Sequence, residues 1–367
     1  MRIAQVPPLY EAVPPRLYGG TERVVAHLTD ALVRLGHEVT LFATAEAHTL
    51  AALAPVRDQA IRLDPAPLKS DLAAHLHQLG EVRRRAAEFD VIHFHTDMIQ
   101  FPMFEGLAQK TLTTLHGRLD LKDLAEVYRR WPQFPLVSIS DDQRRPLPFA
   151  NWAATVHHGM STELYRFSPR SQGYLAFLGR ISPEKRPDRA MAIATAAGRR
   201  LKIAAKVDNA DRAYFESEIK PLLSLSHVEF IGEIDDTQKP AFLSGAKALI
   251  FPIAWPEPFG LVMIEAMACG TPVIAYNYGS VPEVIDDGVS GFIIDGTTED
   301  QRIANAVAAI GRLDELDHVR VRAQFDKRWT ARRMAEDYVH LYEELAGKRK
   351  SSRQVEPSLY EPLVQAL

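Results

Sequence analysis

The stretch Phe251 to Ala275, F-P-I-A-W-P-E-P-F-G-L-V-M-I-E-A-M-A-C-G-T-P-V-I-A, decides the reading of this chain. Two carboxylates, Glu257 and Glu265, stand eight positions apart, with a helix start between them at Pro258-Phe259-Gly260-Leu261. Apolar runs of strand character lie on either side, Ala248 to Phe251 before and Pro272 to Ala275 after. The unit is therefore strand–loop–helix–strand, with one acid in the loop and the other about a turn into the helix. The free backbone N–H groups of a helix start, backed by the helix dipole, make a ready anion site. An acid in the loop can hold a neutral polyol beside that anion, and an acid one turn on can grip a second ring of hydroxyls. A ligand built as sugar, phosphates and ribose fits this pattern.

At 367 residues the chain is comfortable for two domains. Apolar and charged contents are ordinary for a globular protein, and the formal net charge of −4 gives no sign of a general nucleic-acid binder. The single cysteine, Cys269, lies in an apolar stretch. It precludes an internal disulfide framework, fits a reducing compartment and is expected to be packed. The opening M-R-I-A-Q-V-P-P reads as a strand rather than a secretory leader. No apolar segment approaches the ~20 residues needed to span a bilayer. The expected location is the cytoplasm, with peripheral contact at the inner membrane surface left open.

Working outward, both halves alternate strand and helix, the pattern of parallel sheets covered on two faces. In the first half, strands are expected at Arg2 to Val6, Val39 to Ala43, Asp90 to Phe94, Thr111 to Leu115 and Leu136 to Ile139. After Gly19-Gly20, Thr21 is placed to cap a helix whose Val24, Val25, Leu28, Ala31, Leu32 and Leu35 form one stripe, ended by Gly36. In the second half, strands are expected at Tyr174 to Leu178, Leu201 to Ala205, His227 to Ile231, Ala248 to Phe251, Pro272 to Ala275 and Gly291 to Ile294. The domains are read as 1–165 and 166–328, joined by a polar linker from Gly159 to Gly173. The basic, then mixed tail after Gly347 reads as a loosely docked end.

The block P-E-P-F-G-L followed by E-A-M-A-C-G-T-P-V-I-A resembles the E-x7-E motif of retaining nucleotide-sugar glycosyltransferases, in particular glycosyltransferase family 4. The resemblance runs from the glycine loop to the final helix and is strongest from Phe177 to Glu283. It implies the GT-B architecture, an α/β fold of two Rossmann-like domains facing a cleft, the first holding acceptor and the second nucleotide-sugar donor. The last helix, in 329–367, is expected to pack back on the first domain. A retaining hexosyltransferase is implied, with UDP-glucose the default donor, GDP-mannose a close competitor and an acceptor hydroxyl of undefined kind: saccharide, lipid-linked or small molecule.

The segment F-L-G-R-I-S-P-E-K-R places Arg180 at the carboxyl end of a strand and Lys185 at the mouth of the next helix. Two fixed cations there can neutralise charge growing on a leaving diphosphate, and the pair resembles the family's phosphate-binding Arg and Lys. No D-x-D occurs in the chain, so no metal cofactor is expected. By resemblance Gly19 and Gly20 face the donor phosphates, with Glu22 supporting their loop. Glu257 holds donor-sugar hydroxyls, Phe259, Gly260 and Leu261 offer backbone N–H groups, and Glu265 takes the ribose hydroxyls. Gly232, within Ile231-Gly232-Glu233, borders the base, and Lys206 adds a positive contact. His116, in T-T-L-H-G, resembles the family histidine beside the reacting carbon of the donor sugar. His93 and His95 are expected on opposite faces of a strand end, His95 lining the acceptor pocket with Asp97 while the other packs. His157-His158-Gly159 departs from the Asn-Gly that the family commonly carries, and Gly279 to Glu283 is expected to shape a helix start. Front-face attack is implied, the leaving phosphate taking the acceptor proton.

Rival readings are an epimerase or glycogen-synthase-like polymerase of the same fold, and a non-catalytic nucleotide-sugar binding module. The retained Arg180, Lys185, Glu257 and Glu265 argue against the last. A plain dinucleotide dehydrogenase fails because no G-x-G-x-x-G follows the first strand.

Overall fold

The computed structural model describes residues 1–354 apart from Tyr18 and Pro67, with only the backbone after Gly347. Residues 355–367, most of the tail read as loosely docked, lie outside the described residues. Short β-branched and apolar runs punctuated by Gly and Pro build two all-parallel sheets. The first has seven strands: β1 (Arg2–Val6), β2 (Glu38–Thr44), β3 (Ala52–Arg57), β4 (Val91–Phe94), β5 (Thr111–Thr114), β6 (Leu136–Ser138) and β7 (Trp152–Thr155). Their order is β3-β2-β1-β4-β5-β6-β7. The second has six: β8 (Tyr174–Arg180), β9 (Leu201–Lys206), β10 (Val228–Gly232), β11 (Ala246–Phe251), β12 (Val273–Tyr276) and β13 (Gly291–Ile294), in the order β10-β9-β8-β11-β12-β13. In each sheet the strand order reverses beside the first strand, and the carboxyl ends at such a switch point are where open α/β sheets place ligands. Two of these ends carry site residues: β8 terminates at Arg180, and β4 is followed at once by His95.

Both sheets are buried on both faces. Leu175, Ile203, Ile250 and Ile274 pack one way in the second domain, and Ala176, Leu249, Val273 and Ala275 the other. The C-terminal helix Ala331–Gln354 returns across the first domain. Its Met334, Ala335, Tyr338 and Tyr342 pack with Val24, Leu28 and Leu32 of the Gly20–Arg34 helix and with Ile3 and Leu112 of the sheet. Tyr338 and Tyr342 also reach polar groups inside that sheet: Tyr338 Oη lies 2.8 Å from Thr114 Oγ1, and Tyr342 Oη 2.7 Å from His93 Nδ1.

Two local expectations are corrected. Thr21 does not cap its helix: the helix begins at Gly20 with Gly19 at the cap position and no side-chain hydrogen bond there. His93 and His95 do not face opposite sides. Residues two apart on a strand share a face, and their rings lie 4.1 Å apart. Both are buried, and Cys269 is buried and unpaired.

Contacts that cross between the domains fix the cleft. Glu283 accepts from the backbone N–H groups of Asp141 and Asp142 at 2.8 and 2.9 Å, and His157 Nε2 sits 3.0 Å from the same carboxylate. The segment read as shaping a helix start thus also joins the domains through this carboxylate. Burial pushes the Glu283 carboxyl up, but His157 and the two N–H groups outweigh it and hold it below the usual value.

Candidate active site

A cleft of about 610 Å³ lies between the two sets of carboxyl-terminal strand ends, within the size range of ligand pockets. Arg180, Lys185, Lys206, Glu257, Phe259, Gly260, Leu261 and Glu265 line its second-domain side, and Gly19, Gly20, His95, Asp97 and His116 the first-domain side. Gly232 does not line it; Glu233 and Ile234, the next two residues, do.

The loop after β11 is held by glycine at two points. Gly260 has φ +78° and precedes the Leu261–Ala268 helix, a left-handed conformation that other residues adopt at a cost. Gly279, at φ +56°, leaves no room for a side chain, since a Cβ there would sit 2.3 Å from Glu257 N and 2.5 Å from Glu257 O. Gly279→Ala must therefore displace the Glu257 loop, and we expect a lower urea midpoint together with a roughly tenfold loss of turnover. Wild-type turnover and midpoint would show that the loop does not depend on that close approach.

Glu257 is held by Lys185, whose ammonium pairs with Oε2, and by Trp255, whose indole Nε1–H donates to the same oxygen at 3.0 Å. The ammonium lies 5.7 Å from the centre of the Phe251 ring and 5.4 Å from that of Trp255, a cation–π setting that suits a partly desolvated charge. Arg118, following His116 in the first domain, sits 5.7 Å from the Trp255 ring and so meets it across the cleft. Arg180 is surrounded by Asp211, Glu184 and Asp208 at 3.4 to 3.8 Å, distances of loose ion pairs rather than hydrogen bonds. Lys206 pairs with Asp208 at 3.0 Å.

Glu265 is buried, and its Oε1 accepts from Tyr165 Oη at 2.8 Å and from Lys239 Nζ at 3.1 Å. Burial alone would raise its carboxyl, but Lys239, then Arg23 and Tyr165, more than offset it and hold the group below its ordinary value. Lys239 also pairs with Asp236 at 3.1 Å, and Asp236 with the buried Arg23 of the Gly20–Arg34 helix at 3.2 Å. An ionic chain therefore links the glycine loop's helix to the acid at the expected ribose end. On the same helix burial raises Glu22 to about 6.

On the first-domain wall, His116 Nε2 lies 2.8 Å from His95 Nδ1, and the His116 ring stacks on His158 at 5.2 Å. His158 in turn meets Phe259 edge-on at 4.8 Å. Burial pushes His116 down to about 3 and His95 and His158 well below their usual value, so all three are neutral near pH 7. Asp97 has φ +53°, rare for a non-glycine residue. Beside it, Tyr10 Oη donates to Asp71 at 2.6 Å, and Arg62 lies over the Tyr10 ring while pairing with Glu11 at 3.2 Å. Lys239, Arg23, Tyr165 and Tyr10 carry no sequence signal of their own; each matters through a partner distant along the chain. Trp255 alone could have been found, since it stands two residues before Glu257 within the deciding stretch.

A cleft between two parallel-sheet domains, with cations and a helix start on one wall, defines a glycosyltransferase of the GT-B class. The family model for glycosyl transferases group 1 matches residues 166–325, and that for glycosyltransferase family 4 matches residues 18–209. The chain belongs to glycosyltransferase family 4. It is 27% identical over 351 residues to the phosphatidyl-myo-inositol mannosyltransferase of Mycolicibacterium smegmatis, covering 86% of this chain and 85% of that one. It is 27% identical over 281 residues to the D-inositol 3-phosphate glycosyltransferase of Mycobacterium marinum, covering 65% and 60%. Among solved structures it resembles AviGT4, a glycosyltransferase involved in avilamycin A biosynthesis, with TM-score 0.72, 26% identity and coverage of 94% and 98%. Anabaena HepE, solved with UDP and glucose, shares the fold at TM-score 0.72 and 19% identity, covering 94% of this chain and 100% of that one. No helix among the described residues is long and apolar enough to cross a membrane.

Proposed function

We propose that this glycosyltransferase moves a hexose from a nucleoside-diphosphate sugar to an acceptor hydroxyl with retention of anomeric configuration and without a metal ion. The observation that carries the reading is the convergence, in one cleft, of Arg180, Lys185 and the Leu261–Ala268 helix start with Glu257 and Glu265. Cations and N–H groups take the diphosphate, Glu257 the sugar hydroxyls and Glu265 the ribose. Arg180 and Lys185 supply the positive charge that a divalent ion supplies elsewhere.

The bond from the anomeric carbon to the diphosphate oxygen breaks, and a bond from that carbon to the acceptor oxygen forms on the same face. The acceptor proton passes to the departing phosphate oxygen. Glu257 serves as a holder and not as a nucleophile or base: Lys185 and Trp255 both engage its Oε2. His116 lies against the donor sugar, and His95 and Asp97 face the acceptor. Domain closure excludes the water that would hydrolyse the donor. UDP-glucose is the default donor and GDP-mannose its competitor, the second supported by the mannosyltransferase relatives and the first by the ligands of HepE. The acceptor is a saccharide, lipid-linked or small-molecule hydroxyl. The reaction is placed in the cytoplasm, with peripheral contact at the inner membrane surface if that acceptor is a lipid.

A panel of UDP, GDP, ADP and TDP sugars, assayed by donor hydrolysis with and without EDTA, tests this reading. One donor is expected to stand out, with activity unchanged by chelation and an α-linked product from an α-linked donor. Loss of activity in EDTA would reject metal independence, and an inverted product would reject retention.

A further inference from the structure

The buried polar column behind His116 determines which of its nitrogens carries the proton. Gln5, in β1 and fully buried, presents Oε1 to His95 Nε2 at 2.9 Å. An amide oxygen only accepts, so His95 holds its proton on Nε2 and donates it there. His95 is neutral, so its Nδ1 is bare. The 2.8 Å contact to His116 Nε2 then requires the proton to sit on His116 Nε2. His116 is neutral as well, and its Nδ1 becomes an acceptor. That atom is buried and has no partner among the described residues, while its ring lines the cleft. At its other end the amide Nε2 donates to Tyr342 Oη at 3.2 Å and lies 3.5 Å from His93 Nδ1, and the phenol can donate onward to His93 Nδ1 at 2.7 Å, a run that agrees with this amide orientation.

We infer that Gln5 is a positioning residue that sets the tautomer of His116 through His95, so that His116 offers Nδ1 to a hydroxyl of the bound donor sugar. The C-terminal helix takes part through Tyr342, which packs on the same face of the sheet and accepts from the other end of the Gln5 amide. The tautomer itself depends only on the column, whereas the contact with a hydroxyl rests on the reading of the cleft as a donor site. Within the column His116 is the ring assigned to the donor sugar, and Gln5 touches neither substrate, so a change at Gln5 acts through His95 and His116.

The test is nitrogen-15 spectroscopy of the full chain grown with labelled histidine, with the His116 signals assigned by their loss in His116→Asn. His116 is expected to show a protonated Nε2 and a bare Nδ1. In Gln5→Leu, which removes the acceptor and keeps the bulk, a population protonated at Nδ1 should appear, with turnover lower by roughly three- to tenfold and nucleoside diphosphate binding unchanged. A protonated Nδ1 in the unsubstituted chain overturns the inference, as does an unaltered pattern in folded Gln5→Leu. If Gln5→Leu does not fold, the spectrum of the unsubstituted chain still decides the tautomer. Saturation with whichever of UDP-glucose and GDP-mannose the protein hydrolyses should shift the His116 Nδ1 signal. An unmoved signal would overturn the contact with the donor while leaving the tautomer assignment intact, which separates the two claims.

Discussion

Lys185→Ala is expected to lower turnover by on the order of a hundred- to a thousandfold while weakening the binding of free nucleoside diphosphate only modestly. The ammonium is held between Phe251 and Trp255 on one wall of the cleft and is paired with Glu257. When the glycosidic bond breaks, negative charge grows on the leaving phosphate, and a fixed cation there stabilises the transition state more than the ground state. In the reading proposed above, nucleoside diphosphate binding draws on other groups that line the cleft: Glu265, the helix start at Leu261, and Lys206. The substitution also strips Glu257 of its ion pair and leaves the Trp255 indole as its donor. A double-mutant cycle with Glu257→Gln separates the two effects. If Lys185 acts only by holding Glu257, the double variant will be no slower than Glu257→Gln. If it acts on the phosphate, the double variant will be slower than either single one. Unchanged turnover in Lys185→Ala would remove the residue from the mechanism.

The elements that position this lysine were legible in the sequence because each is a local pattern. β8 and β11 are apolar runs ended by Gly-Arg and by a Pro-rich loop, and both sit within a few residues of their expected bounds. The edge strands β3 and β7 carried no such mark. Ala52–Arg57 is rich in Ala and contains Pro55, and Trp152–Thr155 is four residues with Ala at two of them, so neither shows the β-branched run that marks a strand. The histidine column was misread through its period: 93 and 95 differ by two, which places them on one face, and the face is what builds the column. The ionic chain from Arg23 through Asp236 and Lys239 to Glu265 was illegible for another reason. Arg23 and Asp236 are 213 positions apart, and only the apposition of the two domains makes them neighbours. Gln5 is likewise silent in a strand whose other residues are read as core. Its partners at 93, 95 and 342 come from a neighbouring strand, the loop after it and the last helix.

Glu265→Gln should show what that chain contributes. The substitution keeps the shape of the side chain and removes its charge, leaving the partly buried Lys239 beside a neutral amide. Removing one partner of a buried pair costs about 3–5 kcal/mol. The low end, about 3 kcal/mol, is expected here, because Lys239 retains Asp236. Urea unfolding reads this directly as a lower midpoint at unchanged slope. The pH dependence gives an independent check. The carboxyl of Glu265 is held below its ordinary value, so its ionised form stabilises the fold above that ordinary value. That contribution is lost as pH falls through the lowered one. Glu265→Gln should therefore fall furthest below the unsubstituted protein at neutral pH, with the gap closing in acid. The same variant should bind nucleoside diphosphate more weakly by roughly tenfold, since an amide replaces a charge-assisted acceptor at the vicinal ribose hydroxyls, whereas a 2′,3′-dideoxyribose analogue should bind both proteins alike. A constant stability gap across pH would mean that Lys239 does not depend on Glu265. Equal preference for ribose over the dideoxy analogue in both proteins would take this carboxylate away from the sugar.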